Sequence, residues 1–79
     1  MNDGAIRQLG LQLWKTLSAS VNGEVGKFVE LEEIVHFGSQ HSIDMQQITE
    51  LLHWCFQKEY FVKTKRPDGE FGLMLIQAY

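Results

Sequence analysis

Apolar side chains recur along this 79-residue chain with two different periods. From Ala5 to about Ser20 they fall at Ile6, Leu9, Leu13 and Leu17, the three-and-four spacing that gathers one stripe on a helix. Asp3 stands near the start, where a carboxylate can accept from backbone N–H groups that no helical carbonyl serves. Ser20-Val21-Asn22-Gly23 breaks the pattern, and Lys27-Phe28-Val29 then predicts a very short strand. Leu31, Ile34 and Val35 predict a second, shorter helix, which Gly38 is suited to end in the left-handed conformation; Ser39 to Ser42 reads as the turn after it.

The third helix carries the clearest local signals. With Asp44 as N-cap, Gln47 occupies the position from which its side chain reaches back to the Asp44 amide, and Ile43 and Ile48 form a hydrophobic staple across the cap. Start and register are thereby set together. At 100° per residue, Met45, Ile48, Leu51, Leu52, Cys55 and Phe56 gather on a core side, while Gln46, Glu50, His53 and Gln57 face solvent. Trp54 falls on the flank with Gln47 and Lys58, so its ring stays partly accessible unless another segment covers it.

After that helix the period shortens to two. Phe61 to Lys65 and Glu70 to Ala78 read as strands, joined by Arg66-Pro67-Asp68-Gly69, with Pro67 second and Gly69 last in a four-residue reversal. Counting back from that turn pairs Lys65 with Glu70 and Val62 with Leu73. Val62, Thr64, Phe71, Leu73 and Leu75 then share one face, and Lys63 and Lys65 point the other way, towards water or a partner.

Length and composition bound the class. Residues 1–79 make one small domain, and 44% hydrophobic with 22% charged residues is the balance of a folded chain rather than a disordered one. No apolar run approaches the roughly 20 residues of a membrane-spanning helix, and Met1-Asn2-Asp3-Gly4 lacks the cationic start of a signal peptide, so the expectation is a soluble, cytoplasmic protein. Cys55, the single cysteine, cannot make an internal disulfide.

Helix, short strand, helix, turn, helix and two-stranded hairpin is the order of a winged helix-turn-helix domain. The residues that carry the likeness are the strand Lys27-Val29, the helix Leu31-Phe37, the turn Gly38-Ser42, the capped helix Asp44-Glu59 and the hairpin Phe61-Ala78. The chain thus resembles a minimal winged helix, a small α+β domain of three helices, a short strand and a C-terminal hairpin wing. The resemblance implies that the third helix enters a DNA major groove and that the wing touches the backbone or minor groove. By position it makes Gln46, Gln47, Glu50 and His53 groove-facing candidates, and Lys63, Lys65 and Arg66 wing contacts.

Charge splits that expectation in two. From Lys58 to Arg66 four cations stand against Glu59, a local net of +3, whereas from Glu24 to Glu33 four carboxylates stand against Lys27, a local net of −3, in a chain of net charge −3. One reading is a transcription regulator that binds duplex DNA weakly and salt-dependently through the third helix and wing, strengthened by a homodimer through Leu11 and Trp14 of the first helix. The other is a protein-interaction module, adaptor or inhibitor, because no Lys or Arg lies between Ile43 and Gln57 and phosphate affinity needs them. In that reading the third helix and Trp54 contact the partner.

Catalysis and cofactors are not expected. The chain has no Gly-rich phosphate loop, no H-E-x-x-H and no paired CxxC, and Cys55 lies on the apolar side of its helix. His36, His41, His53 and Cys55 lack metal-ligand spacing, so no metal site is expected.

Overall fold

The first helix is capped one residue earlier than the sequence pattern suggests. Asn2, not Asp3, is the N-cap: its side-chain oxygen accepts from the Ala5 N–H at 2.7 Å, and α1 runs Asp3–Ser20. The computed structural model describes residues 1–79, with β1 (Phe28–Val29), α2 (Leu31–Gln40), α3 (Met45–Gln57), β2 (Phe61–Lys65) and β3 (Phe71–Leu75) following α1. The fold is α+β, three helices and a three-stranded antiparallel sheet.

All three helices end by the same device. After α1, the Gly23 N–H reaches the Ser18 carbonyl at 2.8 Å; after α2, Ile43 N–H reaches Gly38 at 3.0 Å; after α3, Tyr60 N–H reaches Cys55 at 3.1 Å. Each bond spans six residues and is accompanied by a shorter one inside it, the closure that satisfies terminal carbonyls when one residue turns left-handed. Those residues are Asn22, Ser42 and Glu59, with φ of 57°, 54° and 61°, and none is glycine. Gly38 therefore does not end α2 as expected. It lies inside the helix, buried, where a Cβ would stand 2.4 Å from Ile48 Cδ1; its missing side chain lets α2 and α3 approach.

The sheet order is β1-β3-β2, so the last strand is central. Its hairpin register differs by one residue from the expected pairing: Lys65 faces Phe71, Lys63 faces Leu73 and Phe61 faces Leu75. The turn explains the slip. Arg66 N–H donates to Glu70 O at 2.7 Å and Gly69 N–H to Arg66 O at 2.9 Å, with Gly69 at φ 91°, so three residues rather than four form the loop and the left-handed glycine adds a bulge. With a side-chain period of two, that single step inverts the strand. Phe61, Lys63 and Lys65 share the helix-facing side with Leu73 and Leu75, while Val62 and Thr64 turn outward, the reverse of the expected faces.

The core takes Leu13 and Leu17 from α1, Ile34 and Phe37 from α2, and Ile48, Leu51 and Cys55 from α3; Val29, Phe61, Leu73 and Leu75 close it from the sheet. Leu52 and Phe56 are half-buried at its margin, but Met45, expected inside, is 59% exposed at the first turn of α3. Beyond Leu75 the chain leaves the sheet, short of the expected strand end at Ala78. Ile76 and Gln77 N–H groups donate to the Tyr60 carbonyl, and the Tyr79 N–H to Ser18 Oγ at 3.2 Å, so the C-terminal residues lie against α1. No helix is long and apolar enough to cross a membrane.

Candidate functional site

The solvent side of α3 carries less than its position suggests. The capping box forms as expected, with Gln47 N–H donating to Asp44 Oδ1 at 2.9 Å and Asp44 N–H to Gln47 Oε1 at 3.0 Å, which commits the Gln47 carbonyl oxygen to the helix start. Glu50 is half-buried, 3.8 Å from the Met1 ammonium. Gln46 and His53 remain open to solvent, and no lysine or arginine stands among them.

Both tryptophans are engaged within the chain. Trp54 lies against α1 at Gly10, where a Cβ would meet its Cε3 at 2.4 Å; Tyr60 packs edge-on to it at 5.8 Å, and Lys58 Nζ sits 5.6 Å from its ring centre. Trp14 stacks on Tyr60 with centroids 3.6 Å apart and planes 3° from parallel, and its Nε1–H donates to Gln77 O at 2.7 Å. Leu11, three residues before Trp14, is half-buried. Cys55 is fully buried under the same crossing, its Sγ 3.7 Å from the Gly10 carbonyl, and burial pushes the thiol up to about 12. A protonated, enclosed sulfur is a packing group, not a nucleophile.

The hairpin and α2 bring together what the sequence pattern did not. β1 stops at Val29, opposite Leu73, so β3 has no strand beside it on that edge from Phe71 to Gly72. A groove of ≈ 620 Å³ opens there, floored by Ile34, Leu52, Phe56 and Leu73, with Leu31 on the α2 wall and Phe71 on the hairpin wall. Leu31 and Phe71 are 66% and 61% exposed, and Val35, one turn after Leu31, is 52% exposed. Isolated exposed hydrophobes are ordinary; here Leu31 and Phe71 line one concavity, and Val35 lies outside it.

The groove's lining carries both signs, Lys63 and Arg66 together with Asp68 and Glu70. Lys63 and Lys65 place Nζ 5.5 and 5.9 Å from the Phe71 ring centre, and neither has a carboxylate in ion-pair range. Arg66 leaves that side: it lies over Phe28 at 5.5 Å and reaches Glu30 at 3.9 Å. Of the three expected wing cations, Lys63 and Arg66 line the groove, Arg66 with an acidic neighbour, and Lys65 lies outside its lining. Glu30 and Glu32 are exposed at the start of α2, outside the groove's lining. No cluster of His, Cys, Asp and Glu that could hold a metal ion forms anywhere in the chain. Comparison with protein-family models, with curated proteins and with solved structures found no match to this chain.

Leu31 and Phe71 are the residues that reading the sequence missed. Leu31 entered only as one of the apolar positions that predict α2, and Phe71 as one of the row with Leu73 and Leu75; both stand exposed at the lining of one groove. The signal that could have found them is the start of α2 immediately after β1, which denies Phe71 a strand partner on that edge.

Proposed function

We propose that the chain is a winged helix, with α2 and α3 as the helix-turn-helix pair and β2–β3 as the wing, that acts as a non-enzymatic protein-interaction module. The interaction surface in this reading is the groove between wing and helices rather than the outer side of α3. The observation that carries it is the pairing of two largely exposed hydrophobes, Leu31 and Phe71, across an apolar concavity. Fully desolvating such anchors is how a small interface gains most of its energy.

A second reading keeps duplex DNA as the ligand, because Lys63 and Lys65 are free of acidic partners on the helix-facing side of the wing. Gln46 and His53 on α3 would then approach base edges while the two lysines neutralise phosphate. Against it stand the absence of cations on α3 and the net charge of −3. Two measurements separate the readings. Random-sequence duplex DNA, added to isotope-labelled protein at low and moderate salt, should leave the amide resonances of α3 and the wing unmoved. Affinity capture from a native lysate, run with wild type and with Leu31→Asp and Phe71→Asp, should show partners lost only from the groove variants. Equal recovery of every protein by all three baits would sink the groove reading; salt-sensitive shifts on DNA addition would favour the second.

A further inference from the structure

β2 is a free edge of the sheet, because β3 lies between it and β1. Two bonds that bracket it show which of its backbone groups β3 uses. Arg66 N–H donates to Glu70 O at 2.7 Å and Ile76 N–H to Tyr60 O at 3.0 Å, and residues that exchange hydrogen bonds alternate along an antiparallel pair. Val62, opposite Met74, and Thr64, opposite Gly72, therefore give their N–H and C=O groups to β3. Lys63 and Lys65 point theirs the other way, and no loop, turn or side chain takes them up. None of the residues from Val62 to Lys65 is buried, so that row is open to solvent.

We propose that the β2 edge takes up an extended segment of a partner protein, one with carboxylates at every second residue, and adds it to the sheet as a fourth strand. The inference goes beyond the groove, whose lining includes only Lys63 of this edge. Main-chain bonds to Lys63 and Lys65 supply the docking, since an added strand uses the outward N–H and C=O groups of alternate residues. The side chains set which strand is accepted. Lys63 and Lys65 stand two apart on the helix-facing side, exposed and with no carboxylate in ion-pair range. At the neighbouring turn, Asp68 already accepts the Glu70 N–H at 2.9 Å. Side chains directly across an added strand stand about 4.5–5.5 Å away at Cβ, so acids at alternate places meet both ammonium groups. The residues between those acids lie beside Val62 and Thr64 on the outer face, where β-branched side chains pack. The same lysines select against a second copy, because pairing β2 with β2 would set their ammonium groups side by side. One charge pattern thus excludes one occupant and admits the other. Arg66 leads into the turn at one end and buried Phe61 stands at the other, so few bonds form and the complex weakens as salt rises.

The probe is a short end-blocked peptide alternating glutamate with valine, added to the isotope-labelled chain at low salt and followed through its amide resonances. Two control peptides carry lysine in place of glutamate, or the original sequence with every backbone nitrogen methylated. The expected result is saturable, salt-sensitive shifts at the Lys63 and Lys65 amides, with binding roughly tenfold weaker or more for the methylated peptide, which cannot donate to a strand edge. Lys63→Glu/Lys65→Glu, with its fold confirmed from its own spectrum, should reverse the preference and bind the lysine peptide. Leu31→Asp, which disrupts the groove, should bind the acidic peptide as wild type does. Absence of shifts at millimolar peptide and low salt would overturn the proposal. So would equal shifts from the methylated peptide, which would mean that the lysines attract charge without pairing a strand. Loss of binding in Leu31→Asp would move the contact from the edge to the groove and overturn it too, as would shifts on adding duplex DNA with none on adding peptide.

Discussion

Gly10→Ala probes the crossing of α1 and α3, where Trp54 and Cys55 straddle the glycine. A Cβ there would lie 2.4 Å from Trp54 Cε3 and 2.8 Å from Cζ3. Carbon atoms in contact settle at about 3.5–4.0 Å, so the indole must withdraw by roughly 1 Å. It has little room to do so, since Tyr60 stands edge-on beside it. Overpacking of this kind costs about 1–3 kcal/mol, and a rigid ring places the site in the upper part of that range. Alanine recovers about 1 kcal/mol of helix propensity over glycine, leaving a net loss of about 1–2 kcal/mol. For a domain of this length that lowers Tm by about 5–15 °C, measured by far-ultraviolet circular dichroism. The decisive arm is the same change made in a Trp54→Leu background. With the ring gone the propensity gain alone remains, and Gly10→Ala should then raise Tm relative to Trp54→Leu. Either of two results would show that the ring and the missing Cβ do not define this crossing: a wild-type background that tolerates alanine without loss, or a Trp54→Leu background in which alanine still costs stability.

The other predictions concern single sites. Glu59→Gly should stabilise by about 0.5–1 kcal/mol, because Glu59 holds φ of 61° where glycine meets no Cβ penalty; urea denaturation reads the midpoint, and an unchanged or lower midpoint counts against it. Asp44→Ala should cost about 1 kcal/mol through loss of the capping box, and Asp44→Ser should restore most of it in the same assay. Cys55 should resist thiol reagents at pH 8 in the folded chain and react at the rate of unfolding. Its folded value of about 12 lies above the ordinary 9.0, so its share of stability is whole below pH 9 and declines as pH rises from 9 to 12. Cys55→Ala should therefore show a shallower loss of folding free energy across that interval, and parallel curves would show that burial does not govern the thiol.

How far the sequence could be read depends on whether a signal is local. The capping box of Asp44 and Gln47 was legible because both partners lie within one turn and use their own backbone. The hairpin was legible as a hairpin, and so was the buried row of Leu73 and Leu75, but not the face of β2: Arg66 to Gly69 supports both a four-residue reversal and a three-residue loop with a left-handed glycine, and only the second occurs. Gly38 shows the same ambiguity, since a glycine near a helix end serves equally as a terminator or as a gap for a neighbour. Ile48, on the next helix, decides it. Trp54 could be placed on a flank by helical angle, but what covers it is α1, a contact no spacing within α3 encodes. The groove was illegible for a similar reason, because it joins α2, α3 and the hairpin and depends on where β1 stops.

The central position of β3 has a consequence for how the chain reaches this state. Each helix can start forming from neighbouring residues, yet Val29 waits for Leu73 and Phe28 for Met74, partners separated by most of the chain. Such distant closures slow folding. On a ribosome, where residues emerge in order, α1, β1, α2 and α3 are exposed before the strand that joins the sheet's two edges has been made. The nascent chain therefore carries Val29 and Phe61 without their sheet neighbours until β3 has been made.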